Sequence, residues 1–398
     1  MYQFSYQFTY ANLAIRTIAI IVVLVIVNRW TNPANKLSWT FIILLSPVLG
    51  LLLYMIFGRS SLTKKTQERM DSVNREVSAC LYQTPEIKEQ LEKEDISVYR
   101  QSKYINDWAG FPLYHHTSTN YYRCGEGMFP DMLAELEKAE HFIFLEYFII
   151  DEGTMFDSIV DVLERKSKEG VDVRLIYDDI GCINTLPPKY YKKLQEKGIK
   201  CAAFNPFRPI MSVVMNNRDH RKIFVVDGKV GFTGGINLAD EYINKASRFG
   251  YWKDTGIRLE GEAVWSMTVM FLEMWNYINH SSEDYKQFMP QVYQSEPFEE
   301  DGYVQPYGDT PLDHETVGEN IYLNIINHAE HYVYIFTPYL IIDNEMLVSL
   351  CNAAKRGVDV RIVTPGIPDK KMVYLLTQSH YEPLLKCGVK IYQYTPGF

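Results

Sequence analysis

Within eighteen residues, the run His220-Arg-Lys222-Ile-Phe-Val-Val-Asp227-Gly-Lys-Val-Gly-Phe-Thr-Gly234-Gly235-Ile-Asn237 gathers an imidazole, cations, a carboxylate, paired glycines and an amide. A neutral imidazole can attack phosphorus or protonate a leaving oxygen, and lysine and asparagine can donate to the non-bridging oxygens of a phosphate. This chemistry needs no metal and no cofactor, and the sequence offers no metal-ligand spacing. Taken singly, these residues have bland readings. A histidine beside a basic pair is usually a solvated surface group, and Asp-Gly is usually a hairpin turn. The complete spacing H-x-K-x4-D-x6-G-G-x-N is what carries the functional reading.

These residues need a strand to hold them. Ile223 to Val226 is a short, β-branched apolar run, so His220 and Lys222 open it on one face. Asp227-Gly228 then predicts a tight turn and Lys229 to Thr233 a returning strand. Gly234-Gly235 predicts a close backbone approach.

Around this motif the chain repeats itself. Ala139-Glu-His141-Phe-Ile-Phe-Leu145 and Tyr147 to Asp151 are echoed by Ala329-Glu-His331-Tyr-Val-Tyr-Ile335 and Tyr339 to Asp343. A helical pattern over Phe156 to Lys168 leads into Gly170-Val-Asp-Val-Arg174, as Met346 to Arg356 leads into Gly357-Val-Asp-Val-Arg361. Helix followed by buried strand, twice, implies parallel pairing. The third match sets Lys197-Gly-Ile-Lys200 against Cys387-Gly-Val-Lys390. The first copy then runs on to the His-x-Lys motif, whereas the second reaches Thr395-Pro396 and Phe398. The expectation is an α/β protein in which two duplicated α/β domains follow an N-terminal transmembrane helical hairpin, the second domain incomplete. A sheet edge left open there predicts aggregation. His141 and His331 recur at strand starts, which favours packing or capping. His115, His116 and Glu146 have no spacing that demands chemistry.

The 398 residues suggest two domain-sized units and an appendage. Apolar content of 47% describes a folded chain, and a formal net charge of −9 argues against a general nucleic-acid binder. The six cysteines are scattered without paired spacing and read as reduced, buried thiols. Trp39 to Phe57 is nineteen residues without a charge, and Leu13 to Val27 is apolar apart from Arg16 and Thr17. The two segments predict spans at about 11–27 and 39–57 in an anchor over 1–62, turned by a loop containing Pro33. Arg59, Lys64, Lys65 and Arg69 after the second span place the large part in the cytoplasm, at the face of a multi-pass cell-membrane protein. A charged connecting segment over 63–110 follows. The two domains then occupy 111–290 and 291–398. The apolar loop Phe207 to Met215 reads equally as a lipid-facing lip, with Val213 and Val214 at its crest, or as core packing.

The motif resembles that of the phospholipase D superfamily. The wider chain is similar to bacterial cardiolipin synthases through its paired N-terminal segments, Asn217-x-x-His220-Arg-Lys222, Tyr251-Trp252-Lys-Asp254, Thr337-Pro338-Tyr339 and Tyr394-Thr-Pro396-Gly-Phe398. Such enzymes commonly carry asparagine where this chain has Asp219. The resemblance implies two phospholipase D-like domains and a transfer between two phosphatidylglycerol molecules that gives cardiolipin and glycerol through a phosphohistidine. It implies His220 as nucleophile and Lys222 and Asn237 as phosphate clamps, beside Gly234 and Gly235, with Asp227 as an orienting carboxylate. The family uses two His-x-Lys motifs, so a chain with one is expected to be inactive alone. Two other readings stand beside this one: a single-motif phosphodiesterase working as a homodimer, and a non-catalytic membrane protein that binds anionic lipid.

Overall fold

The computed structural model describes residues 2–29, 31–58, 76–206, 218–293, 298, 302–310 and 315–398. The loop over 207–215 with Val213 and Val214, and the basic residues Arg59, Lys64, Lys65 and Arg69, lie outside the described residues. The chain divides into two compact units, one holding residues 1–68 with 207–218, the other holding 69–206 with 219–398.

In the first unit, helix α1 (Tyr2–Val27) contains an apolar stretch, Tyr10–Val27, with a mean hydropathy of 2.3. Among the described residues it is the one helix long and apolar enough to cross a membrane. The predicted second span is not one helix. It is broken at Ser46 (φ −139°, ψ 85°) into α2 (Pro33–Leu45) and α3 (Pro47–Phe57). The cause is local, because a residue that precedes proline is pushed out of the helical region and Pro47 brings no N–H to continue the ladder. With 11 residues, α3 is about 16 Å long, short of a hydrocarbon core of about 30 Å. α3 instead packs back on α2, where a Cβ on Gly50 would lie 2.6 Å from the Ile42 carbonyl oxygen.

The second unit is mixed α/β. Among its described residues, ten strands form two sheets. The larger contains β1 (Thr117–Tyr122), β2 (Phe142–Tyr147), β3 (Asp172–Asp178), β4 (Lys200–Phe204), β5 (Ile223–Val226), β6 (Val230–Gly234) and β7 (Gly256–Gly261), in the order β1-β7-β6-β5-β2-β3-β4. The expected parallel pairing holds for β2, β3 and β4, and the expected hairpin joins β5 to β6. Helices Gly125–Lys138 and Thr154–Lys168 accompany one apolar cluster, built on Ile143, Leu145, Leu175 and Phe224. Helix Val264–Asn279 covers the opposite face, where Phe271 stacks on Phe144 at 4.5 Å. Each such fully buried aromatic contributes about 1.5–3 kcal/mol. Because both faces are covered, every residue of β2 is buried, and one of them is a carboxylate, Glu146.

The smaller sheet is wholly parallel: β8 (Tyr332–Phe336), β9 (Asp359–Pro365) and β10 (Lys390–Tyr394) in the order β10-β9-β8. Its register copies that of β2–β4. Tyr332 faces Asp359 as Phe142 faces Asp172, and Arg361 faces Lys390 as Arg174 faces Lys200. The charges repeat too, since Asp359 binds Arg361 at 2.6 Å and Lys390 at 2.8 Å, as Asp172 binds Arg174 and Lys200 at the same two distances. Both sheets fall in one compact unit. Pro396 to Phe398 lie along Tyr251 to Lys253, with the Tyr251 N–H donating to the Pro396 carbonyl at 2.9 Å and the Lys253 N–H to the Phe398 carbonyl at 2.7 Å.

Candidate active site

Strand direction decides which motif residues meet. β5 runs antiparallel to β2 and β6, and β6 antiparallel to β7. One sheet edge therefore collects the start of β5 (His220, Lys222), the end of β6 (Gly234, Gly235, Asn237), the start of β7 (Asp254) and the end of β2 (Phe148). This is the edge beyond the carboxyl ends of the parallel strands, where open α/β sheets commonly bind ligands.

His220 is exposed and Lys222 is buried directly behind it. The Lys222 ammonium donates to the His220 carbonyl at 2.7 Å and stands 3.3 Å from His220 Nδ1. The Phe148 ring packs on both, 4.6 Å from the imidazole centroid and 5.5 Å below Lys222 Nζ. Desolvation and the Lys222 charge hold the imidazole below its usual pKa, so it is neutral at pH 7. Burial lowers Lys222 to about 8, against the opposing pull of Asp219 and Asp254, leaving it mostly cationic at pH 7.

The paired glycines make room for a carboxylate. A Cβ on Gly235 would lie 2.2 Å from Asp254 Oδ1, and Gly234, with φ +149°, would meet the Thr255 carbonyl at 2.4 Å. Burial raises the Asp254 carboxyl above its usual range. Asn237 reaches this edge with its side chain already engaged. Its Oδ1 accepts from the Ile149 N–H at 3.0 Å and its Nδ2 donates to Tyr242 Oη at 2.8 Å, which leaves one amide hydrogen for a ligand.

Asp227 is not brought to this edge. It lies at the β5–β6 turn, five residues beyond Lys222 and so about 16 Å along the chain at about 3.3 Å per residue. Its Oδ1 accepts from the N–H groups of His141 and Phe142, and its Oδ2 from that of Glu140, each at 2.8 Å. The carboxylate thus closes the start of β2 and has no contact with the imidazole.

Residues 132–248 and 322–398 match the family model for the cardiolipin synthase PLD-like domain, and residues 17–59 match the phospholipase D-nuclease N-terminal family. Over 400 residues, 99% of this chain and 78% of the relative, the sequence is 33% identical to cardiolipin synthase 1 of Bacillus cereus. The chain belongs to the bacterial cardiolipin synthase family of the phospholipase D superfamily. An uncharacterized protein of Streptococcus mutans is 46% identical over 94% of this chain and 81% of its own length. Phosphatidylserine synthase of Haemophilus influenzae is similar in structure with a TM-score of 0.44 and 12% identity, over 67% of this chain and 66% of that one. That likeness is too distant to carry an argument.

For a member of the cardiolipin synthase family, two features of this edge lay beyond the spacing of one motif. Tyr339 donates to Asp369, Lys370 stands 5.3 Å over the Tyr339 ring, and the Lys370 charge helps depress the His220 pKa. These residues come from the second repeat. Beneath the edge, Arg221 pairs with Glu146 at 2.6 Å and Asp219 at 3.4 Å. The continuous run of large apolar residues on both sides of Glu146, from Phe142 to Ile150, is the sequence signal that this carboxylate is buried.

Proposed function

We propose that this chain carries a phosphatidyl-transfer site in which His220 is the nucleophile toward phosphatidylglycerol. What supports this best is the pairing of a neutral, exposed imidazole with a buried ammonium at one sheet edge in a cardiolipin synthase family member. Lys222 spends one hydrogen on the His220 carbonyl and directs another at Nδ1, leaving a third for a non-bridging phosphate oxygen. An ammonium can only donate, so in this contact Nδ1 accepts and the neutral ring carries its proton on Nε2. A phosphate drawn to Lys222 releases Nδ1 to take the proton and leaves the Nε2 lone pair free to attack.

The bond from Nε2 to phosphorus forms as the phosphorus–oxygen bond to the terminal glycerol breaks. That glycerol takes a proton from a second imidazole. The terminal hydroxyl of a second phosphatidylglycerol, deprotonated by the same imidazole, then attacks the phosphohistidine, giving cardiolipin and restoring His220. The acid/base belongs to a second His-x-Lys loop, and the repeated register of β8–β10 supports reading residues 111–290 and 291–398 as two phospholipase D-like domains that face one such site. Asn237 contributes one amide hydrogen, and Gly234 and Gly235 admit the phosphate and Asp254 side by side. Asp227 acts as a brace for β2. The anchor over 1–62 brings the site to lipid at the cell membrane.

The test is phosphatidylglycerol turnover in liposomes with products resolved by mass spectrometry. Cardiolipin with stoichiometric glycerol, abolished in His220→Ala, supports transfer. Phosphatidic acid alone favours a phosphodiesterase assembled as a homodimer, and lipid binding without turnover a non-catalytic protein.

A further inference from the structure

A buried charge cluster lies under the His-x-Lys edge, and the transfer steps assign it no role. Glu146 is 0% exposed near the carboxyl end of an otherwise apolar, doubly covered strand, and the Asp219 side chain is 1% exposed. Arg221 Nε lies between them, and Glu273 of helix Val264–Asn279 approaches the same guanidinium at 4.0 Å. Three carboxylates thus surround one cation. Neither Glu146 oxygen nor Asp219 Oδ2 meets a well-directed donor among the described residues. Packing alone does not explain the cluster, because apolar residues of similar volume usually serve a core as well as or better than a buried ion pair.

We propose that Asp219, fixed between Asp178 and Arg221 above the buried Glu146, is a positioning residue for the reactive pair and places a negative charge beside His220 and Lys222. Complete desolvation pushes the Glu146 acid well above its usual range, so Glu146 holds its proton beneath the loop. Asp219 holds the loop on both sides of the histidine. Its own N–H donates to Asp178 Oδ2 at the end of β3 at 3.0 Å, and its Oδ1 accepts the Arg221 N–H at 3.2 Å. Its charge raises the proton affinity of both His220 and Lys222 against the desolvation that lowers it. The charged groups facing this loop are Glu146 from β2, Asp178 from β3 and Glu273 from the helix, with Arg221 on the loop itself, Asp254 beside Lys222 and Lys370 beside His220. Asn at position 219 would keep the turn and lose the charge.

The proposal rests on the transfer reading only for its effect on turnover, and its test is a titration. In the full chain in detergent, the pH dependence of His220 carbethoxylation by diethyl pyrocarbonate is followed by peptide mass spectrometry. Asp219→Asn is expected to move the His220 midpoint downward with the melting temperature nearly kept. Glu146→Gln, isosteric with the neutral acid, is expected to leave the midpoint in place. An unmoved midpoint in Asp219→Asn overturns the proposal. So does a downward shift in Glu146→Gln, which would mean that Glu146 carries the charge, and this variant alone decides the matter if Asp219→Asn does not fold. Failure of the transfer reading would show in the lipid products and leave both midpoints as stated.

Discussion

His220 and Lys222 titrate on opposite sides of neutrality, which fixes the pH profile of any reaction that needs a neutral imidazole and a charged lysine. The imidazole, held below its usual value, stays neutral down into mildly acidic solution and is lost as nucleophile only on further acidification. Lys222 loses its charge as pH rises through about 8. For a phosphatidyl ester whose leaving group needs no proton, turnover is therefore expected to be bell-shaped with an alkaline limb near pH 8, read from kcat/KM against pH. Lys222→Met should lose about 10²–10³-fold in kcat, the scale of removing one oxyanion donor, and should abolish that limb. An alkaline limb that survives the substitution would assign it to another group. The pair was legible in the sequence because two positions of spacing on a strand fix a shared face. The orienting part that the resemblance implied for Asp227 is not the place the strand gives it, because spacing along a β-strand is also distance and the four residues of β5 carry it to the opposite end of the sheet. Asp254, Tyr339 and Lys370 reach the site through sheet topology, which one motif does not encode.

At the scale of elements, the turns and strand ends explain why these residue types stand where they do. Gly234→Ala would force a Cβ toward the Thr255 carbonyl at a φ that side chains rarely adopt, and about 1–3 kcal/mol of stability should be lost, read from chemical or thermal unfolding. Asp227→Asn keeps one acceptor oxygen at the start of β2 and exchanges the other for an amide. The expected result is a comparable loss of stability with activity per folded molecule unchanged. Activity falling well beyond the folded fraction would return Asp227 to the reaction. The parallel trio and the β5–β6 hairpin were legible from apolar runs and Asp-Gly. The absence of charge over Trp39 to Phe57 marks an apolar length and not where a helix ends, so the break that Pro47 imposes at Ser46 is invisible to it.

At the scale of the whole molecule, the parallel trios β2–β4 and β8–β10 share register and charge pattern and differ in what covers them. Phe142 and Phe144 lie under helix Val264–Asn279 and the Phe288 ring, and Arg174 there pairs with Glu283 at 2.8 Å. Their counterparts Tyr332 and Tyr334, with Phe336 beyond them, are 63%, 52% and 60% exposed. An aromatic face of this kind favours self-association, and Tyr334→Ser with Phe336→Ser should shift the detergent-solubilised chain toward smaller species by light scattering. An unchanged size distribution would remove this face from the cause. The repeat was plain in the sequence, but the open face was not, since burial is a property of neighbours and not of pattern. The central claim, that His220 accepts the phosphatidyl group, is tested most directly by a phosphatidyl ester with a nitrophenol leaving group, which needs no proton from a second imidazole. After an alkaline quench that preserves phosphohistidine, mass spectrometry should find the phosphatidyl adduct on the peptide containing His220 and none in His220→Gln. Nitrophenol release that continues in His220→Gln, or an adduct on another residue, would contradict the account.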